Sequence, residues 1–280
     1  MSERIIRTQG LDIATEAFGN PAHAPVLLIM GGGASMLWWP EEFCERLASR
    51  GRYVIRFDQR DTGHSTKFSA GDPAYTLDDL VADAIRVLDA YAIPAAHLVG
   101  MSLGAIIGQL VALEHPTRAL SLTAISSSPF GIDTSRLPRS SEAYLQHLAT
   151  TEQVDWSDRV QVIACSLAES RLIAGTKHPF PEDAMRVFYG RDYDRSGGYS
   201  RLANFDWRGG DAWRGRLREM NAPLLVIHGT ADPVYPIEHG IALAKEVPGA
   251  TLVRLDGGGH ELHPADWAPI IDAIVAHTTT

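Results

Sequence analysis

Gly100-Met101-Ser102-Leu103-Gly104 has the spacing G-x-S-x-G, and what flanks it decides the reading of the chain. The apolar run Ala96-His97-Leu98-Val99 before it predicts a buried strand, and Ala105 to Glu114 after it predicts a helix. Strand, tight turn and helix form the context of a nucleophile elbow. The serine of such a turn sits in strained backbone, and its flanking residues must lack side chains because strand and helix cross there closely. Ser102 would then stand at a helix N-terminus, whose dipole favours developing negative charge.

A serine nucleophile needs a base, and the base needs an orienting acid. Pro223-Leu224-Leu225-Val226-Ile227-His228 predicts a strand running into Gly229-Thr230-Ala231-Asp232-Pro233. Ala250 to Leu255 predicts the last strand, followed by Asp256-Gly257-Gly258-Gly259-His260. The order Ser102, Asp232, His260 differs from the chymotrypsin and subtilisin orders. His260 would take the serine proton and return it to a leaving alkoxide, while Asp232 holds the imidazole in the required tautomer. His263 and Asp256 compete. The glycine run delivers His260 from the strand end, and Asp256 lies too near His260 in sequence to turn back onto Nδ1. His228 is read as a residue that packs or hydrogen-bonds at the strand end, and Ser35 and Ser126-Ser127-Ser128 as polar loop groups. The oxyanion needs preorganised donors. The Leu103 backbone N–H is one candidate. The loop Gly31-Gly32-Gly33, after the predicted strand Val26 to Met30, supplies the other, with the N–H of Gly32 preferred.

Upstream, Arg4-Ile5-Ile6-Arg7 and Leu11 to Phe18 predict a hairpin turned at Gln9-Gly10. Helices are predicted over 40–50 and from a capping box at Thr76 and Asp79, and strands at Tyr53 to Phe57 and Leu120 to Ile125. Alternating strands and helices imply a mostly parallel sheet covered on both faces. From about Pro129 to Arg216 the pattern changes. Aromatics recur there without strand spacing: Phe130, Tyr144, Trp156, Phe180, Phe188, Tyr189, Tyr193, Tyr199, Phe205, Trp207 and Trp213. The organisation expected is a core at 1–128, a helical cap at 129–216 and a second core part at 217–280. Most cap aromatics would form the cap's own core, and a minority would face the pocket. Gly31, Gly33, Trp38, Trp39, Met101, Phe130 and Tyr144 are the candidate pocket residues. The Gly-Gly pairs at 197–198 and 209–210 predict bends or hinges.

Composition narrows the classes. The chain of 280 residues is 45% hydrophobic, enough for one large core. A net charge of −9 argues against nucleic-acid binding, which favours a basic surface. No apolar run is long enough to span a membrane, and Met1-Ser2-Glu3-Arg4 does not open a signal peptide, so a cytoplasmic protein is expected. Cys44 and Cys165 imply free thiols, and neither a metal nor an organic cofactor is implied. The oligomeric state is not written in the sequence.

Met30-Gly31-Gly32, the segment Asp58-Gln59-Arg60-Asp61-Thr62-Gly63-His64-Ser65, the elbow, the turn His228 to Pro233 and Gly257-Gly258-Gly259-His260 together resemble the α/β-hydrolase family. The Arg-Asp-Thr-Gly version is similar to the branch of aclacinomycin methylesterases and serine-dependent macrolide esterases. The resemblance implies an eight-stranded sheet, with the cap inserted after the sixth strand. It implies a serine esterase for a bulky small-molecule ester or lactone. Opening of a macrolide lactone is the first expectation, with its amino sugar meeting an acidic cap (Glu142, Glu152, Asp155, Asp158, Glu169). The alternative is a polyketide methyl ester. A C–C bond hydrolase of the same fold would use the same three residue types, and a non-catalytic receptor stands last. Dehalogenases and epoxide hydrolases need a carboxylate where Ser102 stands.

Overall fold

The computed structural model describes residues 3–69, 74–198 and 205–279. Its frame is an eight-stranded sheet. The strands are β1 (Arg4–Thr8), β2 (Leu11–Phe18), β3 (Ala24–Ile29), β4 (Arg52–Phe57), β6 (Ala96–Met101), β7 (Ala119–Ile125), β9 (Leu224–Gly229) and β10 (Thr251–Leu255). A separate pair joins β5 (Tyr75–Thr76) to β8 (Phe205–Asp206). The order in the sheet is β1-β2-β4-β3-β6-β7-β9-β10. The predicted hairpin is antiparallel, as is its join to β4, and all later pairings are parallel. Parallel strands covered on both faces read as continuous apolar runs, and Val26, Leu27, Leu28 and Ile29 are all fully buried.

Two cores sandwich the sheet. On one face pack α2 (Leu77–Ala90), α3 (Leu103–Glu114) and α7 (Ile237–Glu246), through Leu80, Leu88, Leu110 and Leu243 among others. On the other pack α1 (Glu41–Ser49) and α8 (Trp267–His277), through Phe43, Leu47, Ile270 and Ile274. The Thr76–Asp79 capping box is present and starts α2. α3 is buried on nearly every side, because it lies beneath the sheet centre with α2 beside it.

Between β7 and β9 the chain forms α4 (Glu142–Thr150), α5 (Arg159–Ile173) and α6 (Glu182–Ser196). Gly197 ends α6 in a left-handed conformation at φ 67, a role glycine fills without strain. The second glycine pair is no loose hinge. A side chain on Gly210 would strike Leu110 and Phe130, and its N–H donates to Asp78 Oδ1 at 2.7 Å. Within the expected 129–216 insertion, the last stretch therefore packs on the sheet core, where Phe205 and Trp213 also lean. Tyr199 lies outside the described residues. Cys44 and Cys165 are free thiols. Among the described residues, no helix is long and apolar enough to cross a membrane.

Candidate active site

The elbow forms where β6 meets α3. Ser102 has φ 54 and ψ −120, a conformation that costs a non-glycine residue about 1–3 kcal/mol. Two bonds hold it there: its N–H donates to Ile125 O at 2.9 Å, and Ser127 Oγ donates to its carbonyl at 2.9 Å. A Cβ on Gly100 would collide with the peptide joining Gly104 to Ala105, and one on Gly104 with the carbonyls of Ile29 and Met30. Both motif glycines are thus demanded by main chain, which cannot move aside as a side chain can.

The glycine loop passes over the serine. A Cβ placed on Gly31 would lie 3.4 Å from Ser102 Cβ. β3 ends at Ile29, so the N–H of Gly32 takes no part in the sheet ladder. Leu103 opens α3, and its N–H has no intrahelical acceptor. Gln59 Nε2 donates to Met30 O and ties the strand end to the segment Asp58 to Ser65.

β9 and β10 bring up the other two residues. Asp232 Oδ1 accepts from the N–H groups of Val234 and Tyr235 at 2.8 and 2.9 Å. This leaves Oδ2 for His260 Nδ1, 2.9 Å away. Burial opposes ionisation of Asp232. The positive character of His260, its hydrogen bond, nearby His228 and the Tyr235 N–H outweigh that and hold the carboxyl below the usual aspartate range. His228 Nε2 donates to Tyr235 O at 2.7 Å and so braces the turn carrying the acid. The glycine run packs against this turn, with Ala231 N–H donating to Gly258 O at 2.9 Å. The N–H of His260 donates to Ile173 O at 2.8 Å, so the end of α5 pins the histidine backbone. The competitors make other contacts, although His263 stands close to His260 and lines the same cavity. Asp256 is exposed at the turn, and His263 Nδ1 caps the next turn by accepting from Ala265 N–H at 3.2 Å.

A cavity of about 160 Å³ opens beside the His260 ring. Met30, Trp38, Met101, Ile173, Phe180 and Phe188 make much of its apolar wall. Met101 is the residue before Ser102, so the candidate serine adjoins a cavity that His260 also lines. Of the candidate pocket residues, Trp38 and Met101 line this cavity, and Gly31 lies against the serine. Gly33 turns the loop at φ 74. Trp39 is a correction. It is fully buried against Phe43, because adjacent residues of this turn face opposite ways. Phe130 is a second correction, lying in the sheet core beneath Gly210. Tyr144 sits on α4, away from the cavity's lining. Of the described aromatics recurring from Phe130 to Trp213, Phe180 and Phe188 are the ones in the wall. Ser170, Ile173 and Met185 also line it from the inserted helices and left no mark in the sequence pattern.

Among the described residues, one cluster has metal-ligand types: His178, His263 and Asp266. The two imidazoles stack 4.3 Å apart at 14°. An ion shared by both would have to lie in both ring planes, which parallel stacked rings do not allow. Asp266 is already paired with Lys177 at 2.7 Å and His178 at 3.1 Å, so the cluster is an ionic tie.

Comparison with known proteins agrees with this geometry. The family model described as alpha/beta hydrolase fold matches residues 24–265. The rhodomycin D methylesterase DauP of Streptomyces sp. (strain C5) is 35% identical over 294 residues, covering 99% of this chain and 98% of that protein. The rhodomycin D methylesterase DnrP of Streptomyces peucetius is 35% identical over 305 residues, with the same coverage of 99% and 98%. The crystal structure of the esterase RhEst1 from Rhodococcus sp. ECU1013 superposes with a TM-score of 0.78 at 21% identity, covering 100% of this chain and 99% of that one. The chain belongs to the α/β-hydrolase family and is a carboxylic-ester hydrolase.

Proposed function

We propose that the protein is a serine methylesterase that cleaves the methyl ester of a bulky, aromatic, polyketide-like acid. The observation that carries this is the whole-length similarity, at 35% identity, to two rhodomycin D methylesterases. The cavity beside His260 supports it, since Trp38, Phe180 and Phe188 offer flat apolar surfaces to a fused-ring acid. At about 160 Å³ it is smaller than the roughly 300–1,000 Å³ that encloses a drug-sized ligand, and so suits the ester-bearing end. The methyl ester takes the place of the macrolide lactone as the preferred substrate.

In this reading Ser102 Oγ attacks the ester carbonyl while His260 Nε2 takes its proton. Asp232, on Nδ1, stabilises the imidazolium. The N–H groups of Gly32 and Leu103 receive the oxyanion. Collapse of the tetrahedral intermediate expels methoxide, which leaves as methanol with the proton from His260. Water then attacks the acyl-enzyme with His260 as base, releasing the acid and restoring the serine. Helices α4 to α6 act as the cap that roofs the site.

The test is mass spectrometry of substrates incubated with wild-type protein and Ser102→Ala. Loss of one CH₂ unit from an anthracycline-type methyl ester, with methanol released and no change with the variant, is the expected result. A gain of one water on a macrolide, with methyl esters untouched, would return the reading to lactone opening.

A further inference from the structure

Asp192 on α6 is fully buried. A buried carboxylate is costly unless donors compensate it. Its donors come from a segment more than 150 residues away. Ser35 Oγ donates to Oδ1 at 2.5 Å and Trp38 Nε1 donates to Oδ2 at 3.2 Å. Ser35 Oγ also accepts from Leu37 N–H at 3.2 Å, which caps the one-turn helix Met36–Trp38. One turn along α6, Arg195 reaches Asp58 at 2.7 and 3.1 Å, and Asp58 Oδ1 accepts from Met36 N–H at 2.7 Å. Helix α6 therefore grips the stretch that directly follows the glycine loop. The rings agree: Trp38 meets Phe188 edge-on at 5.0 Å and Tyr189 at 5.5 Å.

We propose that Asp192 is a positioning residue for ester hydrolysis: through Ser35 and Trp38 it sets the place of the Gly32 N–H that receives the oxyanion and of the indole that walls the cavity. This rests on the serine-esterase reading above. It also means that α6 and the glycine loop move together, so this part of the roof is no independent lid. An apolar residue at position 192 would satisfy packing and leave the serine hydroxyl and the indole N–H unheld.

The test uses full-length protein and p-nitrophenyl acetate, with rates expressed per serine titrated by a fluorophosphonate. A displaced oxyanion donor weakens only the transition state, so Asp192→Ala lowers kcat about tenfold with KM little changed. Ser35→Ala acts in the same direction, and the double variant loses less than the product of the two single losses, because both cut the Ser35–Asp192 bond. Asp192→Asn restores kcat to within about threefold, since its amide oxygen can accept from the indole and its NH₂ can donate to Ser35. Arg159→Ala, which cuts the exposed pair between α5 and Asp194 of α6, keeps wild-type rates. Wild-type kcat per titrated serine in Asp192→Ala, or in Ser35→Ala should the first variant not fold, overturns the proposal. Failure of the esterase reading shows separately, as turnover that survives Ser102→Ala. Amide hydrogen exchange across residues 31–39 reads the clamp without activity. It quickens in Asp192→Ala but not in Arg159→Ala, and equal exchange in both overturns the inference.

Discussion

Asp232 Oδ2 stands 2.9 Å from His260 Nδ1, and the other oxygen of the same carboxylate is held by two backbone N–H groups. The carboxylate is thereby aimed as well as paired, and in the proposed mechanism His260 Nε2 is the atom that takes the Ser102 proton. Asp232→Asn keeps the shape but favours the wrong tautomer, so kcat is expected to fall by about 10⁴ with a normal circular dichroism spectrum. Ser102→Ala abolishes turnover and leaves the fold intact. Steady-state kinetics on p-nitrophenyl esters check both. A loss of less than tenfold in Asp232→Asn would remove the aspartate from the site.

Gly104 is fitted against the end of β3. A methyl there meets the Ile29 and Met30 carbonyls, which the sheet holds in place. Gly104→Ala is expected to cost about 3 kcal/mol or more and to move the oxyanion loop as well. Urea denaturation read by tryptophan fluorescence measures the first effect. Wild-type stability would mean that strand and helix do not cross as described.

The adjacent tryptophans separate stability from specificity. Trp39→Ala empties a fully buried site and should cost about 3–5 kcal/mol. Trp38→Ala removes a half-buried cavity wall and should raise KM for aromatic methyl esters far more than for p-nitrophenyl acetate. Paired denaturation and kinetic measurements on the two variants decide this. Equal effects on both quantities would contradict the assignment.

His97 makes stability depend on pH. Burial first, then the charges of Arg52 and His277, push its ring from 6.5 down to about 4, where Nδ1 meets Ser121 Oγ at 2.9 Å. Between those values the unfolded chain holds a proton that the folded protein sheds, so stability rises with pH across that window. The unfolding free energy should be lower at about pH 5 than at about pH 7.5, and His97→Asn should narrow the gap. An unchanged gap in the variant would locate the dependence in other groups.

The sequence by itself determined the elbow, the strand and helix that flank it and the chain order of the three candidate residues. Those features are local: a glycine run, a period of two or of 3.6 and a capping box are written in consecutive residues. The glycine run that delivers His260 from a strand end was also legible, whereas the turn that His263 caps was seen only in the structure. Only the tertiary structure decided that Trp38 faces the cavity and Trp39 the core, or that Phe130 lies beneath Gly210. It alone brought Asp192 to Ser35 across 157 residues and Ile173 to the backbone of His260. Which side of an inserted helix meets the site depends on how that helix packs across the strand ends. That geometry belongs to the whole chain, and no short stretch of residues encodes it.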